Sequence, residues 1–437
     1  MSLNIRVLRA LHSRQFALLW SGQTISSLGD GAFATALAWE VLLLTKSAAA
    51  MGLVITAEIV PRLLFLLLGG VAADRLPRRL VMLWSDAGRA MVILLIAVLG
   101  WLHLLQLWHL VVLSLLFGVA AGFFLPAYRS IPPQLVQLEV LPSANALTGL
   151  SQKMSILLGP LLGAGLVVLA GPISAFAFDG LTFIASAFYL LAMRFPSAIT
   201  SVTRKKRATS EIGQVDTKSI VAPAKPSVRQ SLRQVRDDLR EGWRFVLSAK
   251  WFWMGLPIAT LGNIFFSGPI NVALPKLVHD VYGTGVWLLG AIGAATAIGS
   301  IAAAFLVGQV SRMPKRGMIM YLAVLLAGVA EGVLGLPLPR ASAPVFACIA
   351  NGLLGFGLGA FGIIWVTVMQ ELVPADKLGR VSSIDQLGAW SFLPLGYELT
   401  GIATDHIGPS MVFLIAGIAN VLLALIALAV PDIRKLK

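Results

Sequence analysis

Charge is scarce in this sequence. Only 12% of its 437 residues are Asp, Glu, Lys or Arg, whereas 57% are hydrophobic. Soluble domains usually carry about 25% charged residues, and a chain with so few could not cover a water-facing surface. Much of the surface is therefore predicted to face lipid.

Cysteine and histidine are also scarce. The single cysteine, Cys348, excludes an internal disulfide, and the five histidines are scattered without a serine, cysteine or metal partner in view. The sequence has no CxxC and no phosphate-binding GxxxxGK[ST] motif. We therefore expect no catalytic set, no metal site, no cofactor and no use of ATP, which argues against an enzyme.

Basic residues are in excess, giving a net charge of +14. They sit in short runs between long apolar stretches, which favours a membrane surface over a nucleic acid as their partner. Each crossing needs about 20 apolar residues. This count predicts twelve spans at 16–44, 47–72, 80–102, 107–127, 143–170, 172–194, 250–275, 285–309, 317–338, 343–370, 379–405 and 408–430.

The predicted fold is an all-α membrane protein of two pseudo-symmetric six-helix bundles, residues 1–194 and 250–437. Loops rich in arginine and lysine stay inside, so both termini are expected to be cytoplasmic in a bacterial inner membrane. Residues 195–249 are predicted to form a cytoplasmic linker. Within the linker, apolar residues at helical spacing (Leu232, Val235, Leu239, Trp243 and Val246) predict an amphipathic helix on the inner leaflet, or alternatively a site for a regulatory partner.

The most specific motif follows the second span and reads Gly70-x-x-x-Asp74-Arg75-x-Pro77-Arg78-Arg79. It resembles the signature between helices two and three of the major facilitator superfamily. That resemblance implies a loop that latches the two halves, packed near Arg380 at the start of the eleventh helix. A plain positively charged turn would explain the arginines but not the spacing of Gly70 and Asp74.

A second motif, Gly159-Pro160-x-x-Gly163, lies in the fifth span and resembles the antiporter signature of the family's exporters. A proline bends a spanning helix, and the glycines admit a close neighbour. Segments such as Ser85–Arg89 and Leu378–Ser382 resemble the drug-efflux branch, which includes macrolide and enterobactin exporters and a lysophospholipid transporter. The resemblance implies proton-coupled export of amphipathic small molecules by alternating access. One departure is that the fourth span lacks the arginine that many proton antiporters carry there.

Charges at bilayer depth cost several kcal/mol, so each one calls for a reason. The candidates for proton coupling or substrate contact are Asp30, Glu58, Arg62, Asp179 and Glu398. Each has a structural alternative: Glu58 and Arg62 stand at i,i+4 and can neutralise each other, and Asp30 can accept hydrogen bonds from neighbouring hydroxyls. Glu331 is expected to be solvated near an interface. Trp390, placed near the midplane, is predicted to contact an amphipathic drug, with packing against lipid as its alternative.

The expected partners are a lipophilic small molecule, protons and membrane lipids, with no nucleic acid, and the chain is expected to be a monomer. Lipid or lysophospholipid translocation is the alternative transport function. A non-transporting membrane scaffold is the alternative from a different class.

Overall fold

The computed structural model describes residues 6–193, 243–244, 246–310, 313–434 and 436. Every regular element within these residues is helical. Most of the predicted linker, including Leu232, Val235 and Leu239 of its amphipathic helix, lies outside them.

The N-terminal half contains six long helices, separated by short connections: α1 (Arg14–Thr45), α2 (Ala48–Arg75), α3 (Arg78–Trp101), α4 (Leu107–Arg129), α5 (Leu141–Ala170) and α6 (Pro172–Ala192). Ser13 and Ser47 cap the first two, and the Ser47 hydroxyl accepts a hydrogen bond from the Ala50 amide at 3.2 Å. Each helix is long enough and apolar enough to cross a bilayer.

The C-terminal half repeats this plan with α7 (Lys250–Val281), α8 (Trp287–Gly308), α9 (Arg316–Leu334), α10 (Ala343–Leu372), α11a (Ala375–Ser391), α11b (Leu393–Ile407) and α12 (Pro409–Ala429). Two π-helical turns, Pro269–Ala273 and Leu277–Val281, interrupt α7. The two halves share a detail of chain geometry. Gly171 before α6 and Gly408 before α12 both have positive φ (79° and 84°), and a proline opens each following helix.

Eleven of the predicted crossings are single helical runs within the described residues, and the eleventh in chain order is divided. It breaks at Phe392, just before Pro394, so α11a and α11b are each too short to cross alone. Together they form this eleventh crossing in chain order, which brings the number of crossings to twelve. The prediction of an all-α membrane fold in two six-helix halves is confirmed.

An even number of crossings places the described chain ends at one end of the bundle. We call this end the termini face and the other end, where α1 joins α2, the distal face. Near the distal face one apolar core joins both halves, with Leu42 and Val54 from the first half and Leu277 and Tyr397 from the second. Toward the termini face the halves have separate cores. The two halves are therefore joined distally and parted at the termini face.

Candidate functional site

A cavity of about 750 Å³ lies between the two halves. Its apolar wall includes Phe33 and Phe117. Its polar lining is Ser27, Asp30, Thr35, Glu58, Arg62, Arg89, Ser155, Asn271, Thr296 and Tyr397. All four charged members of this list belong to the N-terminal half, so the two walls of the cavity differ in their electrostatics.

Asp30 lies at the middle of α1, half-buried at the cavity wall. The next residue, Gly31, packs directly against α5, because a Cβ on Gly159 would lie 2.7 Å from the Gly31 Cα. One turn along, a Cβ on Gly163 would lie 2.5 Å from the Ala32 carbonyl oxygen. The glycines of the helix-five motif therefore hold the α1 backbone next to Asp30.

Pro160 faces the other half of the molecule. A Cβ on Gly293 of α8 would lie 2.8 Å from the Pro160 Cβ, and one on Gly290 would lie 2.9 Å from the Pro160 carbonyl oxygen. The motif thus contacts α1 through its glycines and α8 through its proline. It connects the helix that carries Asp30 to the opposite half.

Glu58 and Arg62 form an ion pair within α2, with 3.3 Å between Glu58 Oε1 and Arg62 Nη1. Both line the cavity, and the Arg62 side chain keeps 37% of its exposure. The pair therefore lies at the cavity wall, where a ligand or water can reach it.

Arg89 on α3 belongs to the cavity wall and was missed among the predicted site residues. It forms an ion pair with Asp86, whose other oxygen accepts a hydrogen bond from Ser186 at 2.7 Å. Gln23 of α1 in turn donates to the Ser186 hydroxyl at 2.8 Å. This buried network joins α1, α3 and α6. The sequence signal for this network was the presence of two ionisable residues, Asp86 and Arg89, at i,i+3 inside an apolar span.

Asp179 on α6 is fully buried and does not line the cavity. It lies behind the backbone of α1, since a Cβ on Gly29 would be 2.4 Å from the Asp179 Oδ1. Thr182 donates to Oδ1 at 3.3 Å, and Oδ2 is buried without a partner among the described residues. Asp30 therefore lies on the cavity side of α1, and Asp179 of α6 packs against the opposite side of α1 at the neighbouring residue Gly29.

Glu398 and Trp390 lie away from the cavity lining. Glu398 is half-buried on α11b, next to the close contact between that helix and Gly52. Trp390 is 49% exposed at the end of α11a. The helix break at Phe392 separates the two helices that carry them, which a single helix drawn from the sequence could not represent.

The motif after α2 divides into two parts. Arg78 donates to the Ser130 carbonyl at 2.7 Å, and Arg79 donates to the carbonyls of Leu190 and Leu191 at 2.6 and 2.7 Å. These bonds satisfy carbonyl groups at the C-terminal ends of α4 and α6, within the N-terminal half.

The rest of the motif is exposed at the termini face. Asp74 and Arg75 are exposed, and Asp74 makes no hydrogen bond or ion pair within the described part of the chain. A Cβ on Gly70 would meet no atom of another described helix within 4 Å, whereas one on the adjacent Gly69 would lie 2.5 Å from the Gly122 carbonyl oxygen of α4. In this conformation Gly69, and not Gly70, therefore makes the close contact between α2 and α4. Arg380, the expected counterpart of the loop, is half-buried on α11a.

The distal face is closed by contacts between the halves. Asp405 at the end of α11b accepts hydrogen bonds from the Ser47 hydroxyl at 2.5 Å and from the amides of Ala48 and Ala49 at 2.9 and 3.0 Å. Lys276 of α7 lies 2.6 Å from the same carboxylate. The carboxylate thus satisfies free amides at the N-terminus of α2 in the other half.

Glycines on the helices that face the other half show where the halves touch. A Cβ on Gly401 of α11b would lie 2.7 Å from the Ala49 Cα. Toward the termini face, no atom of another helix in the described part of the chain lies within 4 Å of a Cβ on Gly149 or Gly308. Among the residues that the structure describes, the cavity is therefore sealed distally and opens toward the termini face.

One expectation about a second buried carboxyl was wrong. Glu331 on α9 is fully buried, not solvated, and accepts a hydrogen bond from the Asn420 amide of α12 at 2.8 Å. Its position in the last third of the predicted span 317–338 suggested an interface. Helix packing with α12 covers it instead.

Two six-helix halves around a central cavity, sealed at one face only, define a multi-pass membrane transporter. A family model described as the Major Facilitator Superfamily matches residues 19–393. The chain therefore belongs to the Major Facilitator Superfamily.

Two curated relatives match along nearly the whole chain. The macrolide efflux protein A of Streptococcus pyogenes is 21% identical over 422 residues, covering 97% of this chain and 97% of the relative. The multidrug efflux pump Tap of Mycolicibacterium fortuitum is 27% identical over 433 residues, covering 96% and 95%. The predicted likeness to the drug-efflux branch is confirmed.

Solved structures share the fold at low identity. A D-xylose–proton symporter aligns with a TM-score of 0.69 at 13% identity, covering 96% of this chain and 99% of that one. A POT family transporter in complex with 5-aminolevulinic acid aligns with a TM-score of 0.68 at 13% identity, covering 95% and 96%.

Proposed function

We propose that this transporter exports amphipathic, lipophilic small molecules of the macrolide or multidrug kind from a bacterial cell in exchange for protons. The observation that carries the proposal is the placement of Asp30 at mid-membrane, in a cavity open to one face only. A carboxyl in that position can take a proton or a cationic group from one side and be presented to the other side when the halves rock.

The orientation follows from the loops. Arg75, Arg78 and Arg79 lie at the termini face, where positive charge is retained on the cytoplasmic side. We therefore assign the termini face to the cytoplasm and the distal face to the outside. The open cavity then faces the compartment from which an exporter takes its substrate.

The substrate class follows from the cavity walls. Phe33 and Phe117 provide aromatic surface, with ring centroids 6.0 Å apart, and Asp30 and Glu58 provide negative charge. Aromatic rings and carboxylates together favour lipophilic molecules that carry an amine or another cation. The efflux of macrolides and of multiple drugs by the two relatives named above supports this choice.

Transport in reconstituted liposomes tests the proposal. With an imposed pH gradient, the wild-type protein should accumulate erythromycin or ethidium, and Asp30→Asn should lose the stimulation by the gradient. Glu139→Gln is the matched control, because Glu139 is exposed in the α4–α5 connection at the termini face. Gradient-driven transport that is unchanged in Asp30→Asn would remove Asp30 from the coupling mechanism.

A second candidate, lipid or lysophospholipid translocation, is favoured by one feature of the C-terminal half. A groove of about 930 Å³ lies between α7, α11b and α12, lined by apolar residues such as Leu261, Leu395 and Ile415. An acyl chain would fit such a surface. Uptake of fluorescent lysophospholipid that depends on the protein, with no uptake of erythromycin or ethidium, would favour this candidate over drug export.

A further inference from the structure

The charges around Asp30 do not balance. Two guanidinium groups, Arg62 and Arg89, face four carboxyl groups. Glu58 holds Arg62, and Asp86 holds Arg89. Asp30 and Asp179 are left without a cation of their own in the described part of the chain. Two carboxylates at neighbouring positions in a low dielectric cannot both be charged without a large cost.

Arg89 has unused capacity to bind a second carboxylate. Its guanidinium carbon lies 4.3 Å from the ring centre of Phe124 and 4.4 Å from that of Phe183, so two rings hold it in place. One of its Nη atoms donates to Asp86, while its Nε is buried with no partner among the described residues. A guanidinium has five N–H donors, and leaving a buried one unpaired is costly.

Asp30 is the cavity carboxyl that has no ion-pair partner within the described residues, because Glu58 already pairs with Arg62. Arg89 and Asp30 both line the cavity, and Arg89 acts electrostatically on Asp30, on Glu58 and on Asp179. The other charged groups that act on Asp30 are Glu58 and Arg62 from α2 and Asp86 from α3, and Asp30 in turn acts on Asp179 of α6.

We propose that Arg89 is a positioning residue for the exchange reaction: it is the counter-ion that Asp30 acquires when Asp30 releases its proton. The inference rests on the proposed proton coupling through Asp30. In this step the Asp30 O–H bond breaks, the proton leaves to water in the cavity, and the carboxylate is held by Arg89. Asp86 keeps the guanidinium oriented throughout, so the cation is shared between the two carboxylates.

This sharing connects the cavity to the helix framework. Asp86 is tied through Ser186 to Gln23, which places the same network on α1, α3 and α6. Any movement of Arg89 toward Asp30 would therefore change hydrogen bonds that involve all three helices. A purely structural Asp86–Arg89 pair would hold these helices together but would not change with the charge on Asp30.

The test follows the protonation of Asp30 itself and does not depend on transport. Infrared titration of the protein in liposomes records the carbonyl band of protonated carboxyl groups, and the part lost in Asp30→Asn belongs to Asp30. In Arg89→Gln the midpoint of that band should move to higher pH by about one unit or more, because a nearby cation is lost. In Arg89→Lys it should move much less.

A second variant protects the test against misfolding of Arg89→Gln, which would leave Asp86 buried and unpaired. Asp86→Asn frees Arg89 to serve Asp30 alone, so the Asp30 midpoint should move to lower pH, opposite to Arg89→Gln. Midpoints that stay at the wild-type value in both variants would overturn the role of Arg89 while leaving proton coupling intact. An Asp30 band that does not titrate in the wild-type protein would overturn the proposed function as well.

Discussion

Asp405 in the C-terminal half accepts a hydrogen bond from the backbone amide of Ala48 in the N-terminal half, at 2.9 Å. One carboxylate thus completes the first turn of a helix that belongs to the other half. Lys276 supplies its counter-charge at 2.6 Å. If the halves rock, this contact is among those that must break to open the distal face.

Removing the Asp405 carboxylate should favour opening at the distal face. A charged hydrogen bond contributes about 1.5–3 kcal/mol, so Asp405→Ala should increase distal access to the cavity about tenfold or more. The measurement is the rate at which a membrane-impermeant maleimide, added at the distal face, labels Thr35→Cys in a Cys348→Ser background. Asp280→Asn, a change at an exposed residue of the same face, is the control. If Asp405→Ala and Asp280→Asn are labelled at the same rate, Asp405 does not keep the distal face closed.

A side chain at Gly163 should destabilise the contact between α1 and α5. A Cβ there would lie 2.5 Å from the Ala32 carbonyl oxygen, and this backbone atom cannot move aside easily. Gly163→Val should lower stability by about 1–3 kcal/mol, measured as a lower melting temperature in detergent. Gly165→Val on the same helix, where no atom outside the helix lies within 4 Å, isolates the effect of the contact. Equal melting temperatures for the two variants would argue against close α1–α5 packing.

Arg79 should contribute to stability through the end of α6. Its two hydrogen bonds satisfy the carbonyls of Leu190 and Leu191, so Arg79→Ala should cost about 1–3 kcal/mol. Thermal unfolding of the purified protein measures this loss. Arg75→Ala, at an exposed position of the same loop, should melt near the wild-type temperature. A similar loss in both variants would mean that a general charge effect, not these bonds, is responsible.

Replacing Asp74 should affect transport and not stability. It is exposed and unpartnered within the described residues here, so Asp74→Asn should leave the melting temperature unchanged. If the loop latches the halves when the termini face closes, the same variant should slow transport severalfold. Counterflow of labelled erythromycin in liposomes measures that rate. A wild-type rate would contradict the predicted latch.

The fold could be predicted from the sequence because lipid imposes one strong rule on every span. Long apolar runs must be helical there, and the spacing of such runs gives the two halves. The break in the eleventh crossing was harder to locate. Pro394 marks it, yet other prolines, such as Pro61 in α2, lie within continuous helices.

The site was predictable only in part, for a related reason. Charges inside apolar runs stand out, which is why Asp30, Glu58 and Arg62 could be named and why they lie at the cavity wall. Which face of a helix points inward depends on packing that a sequence does not contain. Asp405 was overlooked because residues at the end of a span usually meet water, and here the residue meets the other half of the protein.

Substrate-driven proton movement tests the central claim most directly. Liposomes containing the protein and a pH-sensitive dye are given an outward or inward gradient of erythromycin or ethidium, with no pH gradient imposed. Proton-coupled exchange predicts proton flow opposite to the substrate in the wild-type protein and in Glu139→Gln, and none in Asp30→Asn. Substrate movement without any proton flow in the wild-type protein would contradict the account.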